Sequence, residues 1–474
     1  MRELLLIPTE IRSWNGATKA ITDTWTSNSL RGRFARGALW SLIGAVLSQG
    51  CGLAASIITA RLLGREQFGG YGVIQSTVGM FGVFAGMGLG MTATKYVAEL
   101  RVTNPERAGR IIALSTAVAS ATATTAVVVL LVAAPWLAAR TLNAPRLSPE
   151  LRIAAGVLFL NALNGTQTGV LAGLEAFRTI ARVNLTRGLL TFPIAVAGVL
   201  LWNLRGAVAA LVAAAAVGWI LNHIAIRAEC RRNGVAVRWE GFWSERVILW
   251  KFSLPAFLGG AMVTPAMWAT SSILVNQPHG YAEMGIFSAA NQWRTAVAFL
   301  PSLLSQPLLP MLSNVGGLGD SKSFRKLLRA NLLLTLVLSV LVAAPIALSS
   351  SWIMRTYGRD FLSGRPVLVL IVLTTVISSA ASVIGQAIAS LDRMWWGFNL
   401  NCIWAFVLLA SAILLVPRHG ALGLAWAFLA AYSVHALTLS TYLHVQFGKH
   451  LDTLAQDRLA TAPDLSDPGR ISHV

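Results

Sequence analysis

Long apolar runs alternate with short charged segments along this chain of 474 residues. Twelve runs contain no Lys, Arg, Asp or Glu apart from Arg294, and from Arg187 at the first position of one run. A run of about 20 apolar residues can cross the hydrocarbon core as a helix, and it must be helical because lipid offers no water to unpaired peptide groups. The predicted spans are 38–60, 71–94, 111–137, 153–174, 187–203, 206–226, 252–276, 284–312, 330–353, 366–390, 394–416 and 420–446. The pattern therefore predicts an all-α polytopic membrane protein with twelve transmembrane helices.

The basic residues between the spans predict the orientation of the chain. Twelve spans place both termini on one side, and putting that side in the cytoplasm leaves 27 of the 38 Lys and Arg residues there and 10 on the opposite side. Because cytoplasmic loops of membrane proteins carry an excess of Lys and Arg, the split predicts that both termini are cytoplasmic. The polar stretch 449–474 is expected to be a disordered tail.

The two halves of the chain resemble each other at an almost constant offset. The matching segments are 64–71 with 280–287, Asn184 with Asn401, and 205–208 with 419–422, at offsets of 216, 217 and 214. Each half has six spans, so both enter the membrane from the same side as parallel repeats, and two such bundles leave a central cavity that rocking can open to either side. The predicted organisation is a cytoplasmic tail at 1–35, a six-helix bundle at 36–226, a cytoplasmic linker at 227–251, a second six-helix bundle at 252–446 and a cytoplasmic tail at 447–474.

Composition narrows the classes of function. Only 12% of the residues are charged, about half the share in soluble domains. The net charge of +19 does not indicate nucleic-acid binding, because the basic residues lie at span ends and not in one patch. Cys51, Cys230 and Cys402 lack metal-ligand spacing and are interpreted as small apolar side chains. The segment 316–323 departs from the phosphate-loop motif, because Ser321 stands where that motif has glycine. We therefore expect no metal, no cofactor and no nucleic-acid partner.

Arg294 is the one charge well inside a predicted span. An arginine at mid-membrane costs about 2.5–3.5 kcal/mol on insertion scales, so such a residue usually faces a cavity or a partner. Asn291 lies one helical turn away, and Gln292 adjoins it. These three residues are candidate contacts for an anionic substrate. The alternative is that Arg294 snorkels to the outer interface.

Further polar residues are candidates for the wall of a polar cavity. Asn161 and Asn164 share one face of the fourth span, and Gln49 lies in the first. Arg187 and Lys95 lie near span ends, where each either reaches the cavity or snorkels. For the amide side chains, the alternative is hydrogen bonding between packed membrane helices. No acidic residue lies firmly within a span, so a carboxylate-based proton or sodium site is not evident.

Four sequence motifs connect the chain to a known family. They are Ala60–Gly64 (ARLLG), Phe68–Tyr71 (FGGY), Gly86–Gly90 (GMGLG) and Lys95–Glu99 (KYVAE). With the span count and the repeat, they make residues 36–446 resemble the polysaccharide biosynthesis (Wzx-type) flippases of the multidrug/oligosaccharidyl-lipid/polysaccharide exporter superfamily. The resemblance implies two six-helix bundles around a cationic cavity that carries a polyprenyl-diphosphate-linked oligosaccharide outward by alternating access. It also implies a bacterial inner membrane, contact with membrane lipids, and a polysaccharide polymerase and chain-length regulator as candidate partners.

Three other functions stay open on the sequence. A multidrug or cation exporter of the same superfamily would place carboxylates in the cavity, and a peptidoglycan lipid-precursor flippase would share the fold. A membrane glycosyltransferase or polysaccharide ligase would need acidic or histidine groups on a sizeable outer loop. Because the outer acids are sparse, we expect a transporter and not an enzyme. They are Glu66, Glu150, Glu283 and Asp360.

Overall fold

Helices make up the computed structural model of the protein, which describes residues 30–253, 257, 261–305, 308–317, 321–390 and 394–461. In chain order the α-helices are α1 (Leu30–Gly86), α2 (Leu89–Leu100), α3 (Pro105–Trp136), α4 (Ser148–Gly173), α5 (Phe177–Arg232), α6 (Val263–Val275), α7 (Gly280–Ser305), α8 (Leu308–Gly317), α9 (Ser321–Leu348), α10 (Ser350–Tyr357), α11 (Arg365–Ser390) and α12 (Met394–Thr461). Within the described ranges no strand occurs. The predicted all-α fold class is confirmed.

Three of these helices are broken inside their length. The breaks lie at Gly64 in α1 (φ 72°), at Asn203 in α5 (φ 49°, ψ −129°) and at Gly420 in α12 (φ 53°, ψ −129°). Glycine adopts positive φ at little cost, which suits two of the three sites. The breaks gather at one end of the bundle, where Glu66 and Asn203 line one cleft with Tyr281, and Glu283 lies against Gly420. We call this the break end.

The opposite end carries residues 233–247, and we call it the linker end. The linker is docked on the start of α3. Arg107 Nε donates to both carboxylate oxygens of the buried Glu245, at 2.9 and 3.0 Å. Gly109 lies so close to the Ala236 carbonyl that a Cβ there would overlap it. The segment that joins the two halves is therefore fixed to the first half.

Six helical segments of the described residues are long and apolar enough to cross a membrane. They are Gly44–Gly86, Pro105–Thr141, Phe177–Arg232, Lys322–Leu348, Arg359–Ser390 and Trp396–Val445. The three that contain a break have 43, 56 and 50 residues, about twice what one crossing needs. Val263–Val275 is a shorter apolar helix.

The buried apolar side chains show where the two halves meet. One large cluster draws from both halves and includes Phe68 and Leu130 with Tyr357 and Phe361. Smaller clusters belong to a single half, such as the one around Leu171 and those in α8, α9, α11 and α12. Contacts between the halves run mainly from α1 to α7, with fewer from α1 to α6. The contacts of α6 with α12 lie within the second half. The halves thus share a core near the break end and have separate cores elsewhere.

One predicted span is interrupted for a local reason. The predicted span 71–94 is interrupted, because Met87 (φ 39°) and Gly88 (φ 68°) take left-handed conformations that end α1 at Gly86 and start α2 at Leu89. The predicted span 284–312 is helical on both sides of 306–307, which lie outside the described residues.

The disorder predicted from residue 449 is wrong as far as Thr461. Helix α12 continues to Thr461, and only 462–474 lie outside the described residues, as do 1–29 at the other end. Leu451, Leu454 and Ala455 recur at helical spacing before Pro463, which favours continuation of the helix.

Candidate functional site

A close helix crossing joins the two halves at the break end. A Cβ on Gly69 would overlap the Tyr281 carbonyl oxygen, and a Cβ on Gly285 would overlap the carbonyl oxygen of Arg65. Since only glycine lacks a Cβ, it allows two helix backbones to touch in this way. The crossing of α1 and α7 leaves no passage between these backbones.

Hydrogen bonds reinforce this closure beside the crossing. The carbonyl oxygen of Thr141 accepts from Ser272 Oγ at 2.8 Å and from Asn276 Nδ2 at 2.7 Å. The Tyr281 hydroxyl donates to the Leu142 carbonyl oxygen at 2.7 Å. Thr141 ends the π-helical turn Leu137–Thr141, so its carbonyl is left for partners outside its own helix. We call these three bonds the latch.

Below the crossing, a central cavity of about 290 Å³ lies between the halves. Its polar lining is neutral and comes from α1, α5 and α7. The polar residues are Gln49, Ser56, Thr59, Tyr71, Gln75, Thr191, Gln292 and Thr295. The cavity brings together two residues singled out in the sequence, Gln49 of the first half and Gln292 of the second.

Two further cavities differ in which half lines them. One of about 730 Å³ is lined mainly by α1, α2 and α4, with Asn161 and Gln75 among its polar groups, and Phe257 and Thr264 of the second half complete its wall. The cavity of the second half is about 770 Å³ and is lined by α7, α11 and α12, with Arg294 on its wall. We call the latter the α7–α11–α12 cavity. None of the described residues lining the three cavities is acidic.

Arg294 is held on the wall of the α7–α11–α12 cavity by one aromatic side chain. Its Nη2 donates to the Tyr432 hydroxyl at 2.6 Å, and its Cζ lies 5.2 Å from the centre of the Tyr432 ring. Among the described residues, Arg294 has no carboxylate partner. The guanidinium has five N–H donors, so most of its donors are available to an anion in the cavity.

The chain is similar in sequence to several known proteins. The family model described as polysaccharide biosynthesis protein matches residues 34–315. The chain belongs to the polysaccharide biosynthesis protein family. This member is 25% identical over 414 residues to the EPS I polysaccharide export inner membrane protein EpsE of Ralstonia nicotianae, covering 85% of this chain and 92% of that protein. It is 23% identical over 415 residues to the lipid III flippase of Escherichia coli, covering 85% and 96%.

A solved structure shows the same fold. The inward-facing conformation of a multidrug resistance MATE family transporter of the MOP superfamily superposes with a TM-score of 0.72. The two chains are 13% identical, and the match covers 88% of this family member and 99% of that transporter. At this identity the likeness shows a shared fold.

The other candidate residues of this polysaccharide biosynthesis family member are scattered. Asn164 is buried and engaged in helix contacts, donating to the Ala215 carbonyl oxygen at 2.9 Å and accepting from Asn222 at 3.1 Å. Arg187 lies beside Asn164, and both flank Gly218. Lys95 is exposed, with its Nζ 5.2 Å from the Tyr96 ring centre. The structure brings Asn164 and Arg187 together in the first half, away from Arg294 on α7.

Asn291 and Gln292 lie in the helical turn of α7 that precedes Arg294. Asn291 Oδ1 and Gln292 Oε1 are buried without a hydrogen-bond partner among the described residues. Gln292 lines the central cavity, while Arg294 lines the α7–α11–α12 cavity. This turn of α7 therefore lies between the two cavities.

Sequence reasoning missed Tyr432 and the serines around Arg294. The signal for the serines was present, because Ser378, Ser382 and Gln386 recur every four residues on one face of α11. Tyr432 and His435 are three residues apart on α12, the spacing of one helix face. Among the described residues, no group of three His, Cys, Asp or Glu could hold a metal ion.

Proposed function

We propose that this protein is a flippase that moves a polyprenyl-diphosphate-linked oligosaccharide repeat unit from the cytoplasmic to the outer leaflet for polysaccharide biosynthesis. The observation that carries the proposal is Arg294, a cation without a carboxylate partner among the described residues, on the wall of a large neutral cavity. The relatives named for polysaccharide export and for a lipid III flippase, each matched over most of its length, support the same reading. A transporter of this kind needs no cofactor and catalyses no covalent step.

The proposed architecture is twelve transmembrane helices in two six-helix bundles, 36–226 and 252–446, related as parallel repeats. The lengths of the three broken helices support double crossings. Asn203 and Gly420, 217 residues apart, have almost the same φ and ψ. The crossing supports the repeat too, because Gly69 meets Tyr281 and Gly285 meets Arg65, with 216 residues between equivalent positions.

The linker 227–251 and both termini are assigned to the cytoplasm in this proposal. The supporting observation is the charge bias of 27 basic residues to 10. On that assignment, the glycine crossing and the latch close the route to the cell exterior. The substrate enters from the cytoplasmic side, and release requires the break end to open.

Arg294 is assigned to the diphosphate. Guanidinium groups bind phosphate oxygens through paired N–H donors, and the unpartnered amide oxygens beside Arg294 can accept from sugar hydroxyls. Because the lipid tail is apolar, it stays in the bilayer while the polar headgroup occupies the cavity. The distinct roles are thus anion binding by Arg294 and neutral polar contacts by Asn291 and Gln292.

The cation exporter is the alternative favoured by the fold likeness to a multidrug transporter. Cation binding calls for acidic or strongly electronegative groups in the cavity. Among the described residues, the three cavities have no acidic lining and one carries Arg294. The electrostatics therefore favour an anionic substrate.

Reconstitution into proteoliposomes tests the proposed function. The substrate is a polyprenyl diphosphate carrying a labelled oligosaccharide, and the readout is the rate at which the sugar becomes accessible to a lectin added outside. We expect Arg294→Ala to lower this rate at least tenfold, Arg294→Lys to lower it less, and Arg355→Ala, at an exposed arginine of the same half, to leave it unchanged. Wild-type transport of cationic dyes with no movement of the lipid-linked sugar would overturn the proposal.

A further inference from the structure

The α7–α11–α12 cavity is lined by apolar residues and by many neutral hydrogen-bonding groups. Apart from Arg294, the polar side chains on its wall are hydroxyls, amides, one histidine and one tyrosine. They are Ser302, Ser305, Ser378, Ser379, Ser382, Gln386, Asn401, Tyr432 and His435. A small set of placed donors and acceptors in a concave, partly apolar site is typical of ligand pockets. Hydroxyls and amides both donate and accept, as the hydroxyls of a sugar do.

One of these groups is buried without a partner. His435 Nδ1 has no hydrogen-bond partner among the described residues. A buried polar atom left unpaired is unfavourable, and a ligand hydroxyl in the cavity would satisfy it. The cavity of about 770 Å³ also falls within the roughly 300–1,000 Å³ of small-molecule sites.

Two glycines leave this space open. Gly385 of α11 and Gly397 of α12 both line the cavity, and a Cβ at either position would meet no heavy atom within 4 Å. Glycine inside a helix is less favourable than alanine. Neither close packing nor a positive φ requires glycine at these two positions. Their effect is to leave space in the cavity that a side chain would fill.

We propose that the α7–α11–α12 cavity is the glycan subsite, which binds an uncharged, hydroxyl-rich oligosaccharide next to Arg294, and that Gly385 and Gly397 set the size of glycan it accepts. This inference rests on the proposed flippase function. The diphosphate lies at Arg294, and the sugar chain extends along α11 and α12, where the serines, Gln386 and His435 contact it. A larger side chain at either glycine shortens the glycan that fits.

Gly385→Trp and Gly397→Trp test the subsite in proteoliposomes. The matched control is Gly50→Trp, because Gly50 also has no heavy atom within 4 Å of a built Cβ and does not line this cavity. The substrates are polyprenyl diphosphates carrying one neutral sugar or a complete oligosaccharide. Size-exclusion profiles and melting temperatures in detergent identify the variants that fold. If Gly385→Trp does not fold, Gly385→Leu is tested in its place.

We expect the folded variants to move the single-sugar lipid within twofold of the wild-type rate and the full oligosaccharide at least tenfold more slowly. Gly50→Trp should move both as the wild type does. Equal slowing of both substrates, or no slowing of either, would overturn the subsite while leaving the flippase function standing. Failure of the wild type to move either lipid would instead remove the proposed function, and the subsite with it.

Discussion

Gly69 of α1 and Gly285 of α7 face each other across the two halves, and each packs against the backbone of the other's helix. The backbone nitrogen of Gly285 lies 2.9 Å from where a Cβ of Gly69 would stand. The two residues are 216 residues apart and are equivalent positions of the proposed repeat. In that proposal, this close approach of the halves is made by equivalent residues.

Gly69→Ala should open the break end. The added Cβ overlaps backbone atoms, and overpacking typically costs about 1–3 kcal/mol, where about 1.4 kcal/mol is a tenfold change in an equilibrium. The measurement is alkylation of Ser56→Cys, a central-cavity position, by a membrane-impermeant maleimide added outside, in a variant lacking the native cysteines. We expect labelling to be about tenfold faster than with glycine at 69.

Gly50→Ala is the control for that measurement. It makes the same change where a Cβ meets no heavy atom, so labelling of Ser56→Cys should stay at the starting rate. Gly285→Ala should reproduce the effect of Gly69→Ala from the other half. Unchanged labelling in both Gly69→Ala and Gly285→Ala would show that the crossing does not close the cavity.

The latch should contribute less than the crossing. Tyr281→Phe removes the hydrogen bond to the Leu142 carbonyl, and one such bond contributes about 0.5–1.5 kcal/mol. We expect two- to tenfold faster labelling of Ser56→Cys from outside. Thr125→Val is the control, because that hydroxyl bonds only its own helix, at the Ala121 carbonyl. A rate for Tyr281→Phe equal to that of the control would remove the latch from the closure.

The alignment of the two crossing glycines could be predicted from the sequence, and their contact could not. The repeat aligned 64–71 with 280–287, and so paired Gly69 with Gly285 as equivalents. Equivalence does not imply contact. A repeat predicts that the two halves have similar folds, but it does not predict which faces of the halves pack together. The latch could not be predicted because its acceptors, at Thr141 and Leu142, are backbone carbonyls. Every residue type has such a carbonyl, so the sequence does not distinguish these positions.

The candidate site was predictable where a residue breaks a pattern. Arg294 was found because a charge interrupts an apolar run. Tyr432 fits an apolar span without interrupting it, since its ring is apolar and only its hydroxyl reaches Arg294. Asn164 was a candidate by the same rule as Asn161, but one lies in helix–helix hydrogen bonds and the other lines a cavity. Which face packs on a neighbour depends on tertiary contacts that the periodicity of one helix does not specify.

Tyr432→Phe should weaken substrate binding by freeing Arg294. The change removes the 2.6 Å hydrogen bond and keeps the ring beside the guanidinium. Hydrogen bonds to charged groups contribute about 1.5–3 kcal/mol, and water in the cavity replaces part of that. We expect the half-saturating concentration of lipid-linked substrate to rise about three- to tenfold with a smaller change in maximal rate, as measured by flipping assays over a range of substrate densities.

Tyr442→Phe is the matched control for that variant, because Tyr442 is another tyrosine of α12 whose ring packs against Trp396 and which does not line the α7–α11–α12 cavity. Its kinetics should match the wild type. If Tyr432→Phe lowers the maximal rate alone, Tyr432 serves the conformational change and does not position Arg294 for binding.

Glu245→Gln should release the linker from the first half. Glu245 is buried and is bound by Arg107 Nε, with Arg110 Nη2 at 3.7 Å. The variant removes the negative charge from this contact, and because the Arg107 side chain is 44% exposed the loss is moderated by solvent screening. We expect several-fold faster trypsin cleavage within 233–247, read by mass spectrometry of purified protein, and no change with Glu240→Gln at an exposed carboxylate. Equal cleavage in both variants would mean that backbone packing, such as that of Gly109 on Ala236, holds the linker without help from the ion pair.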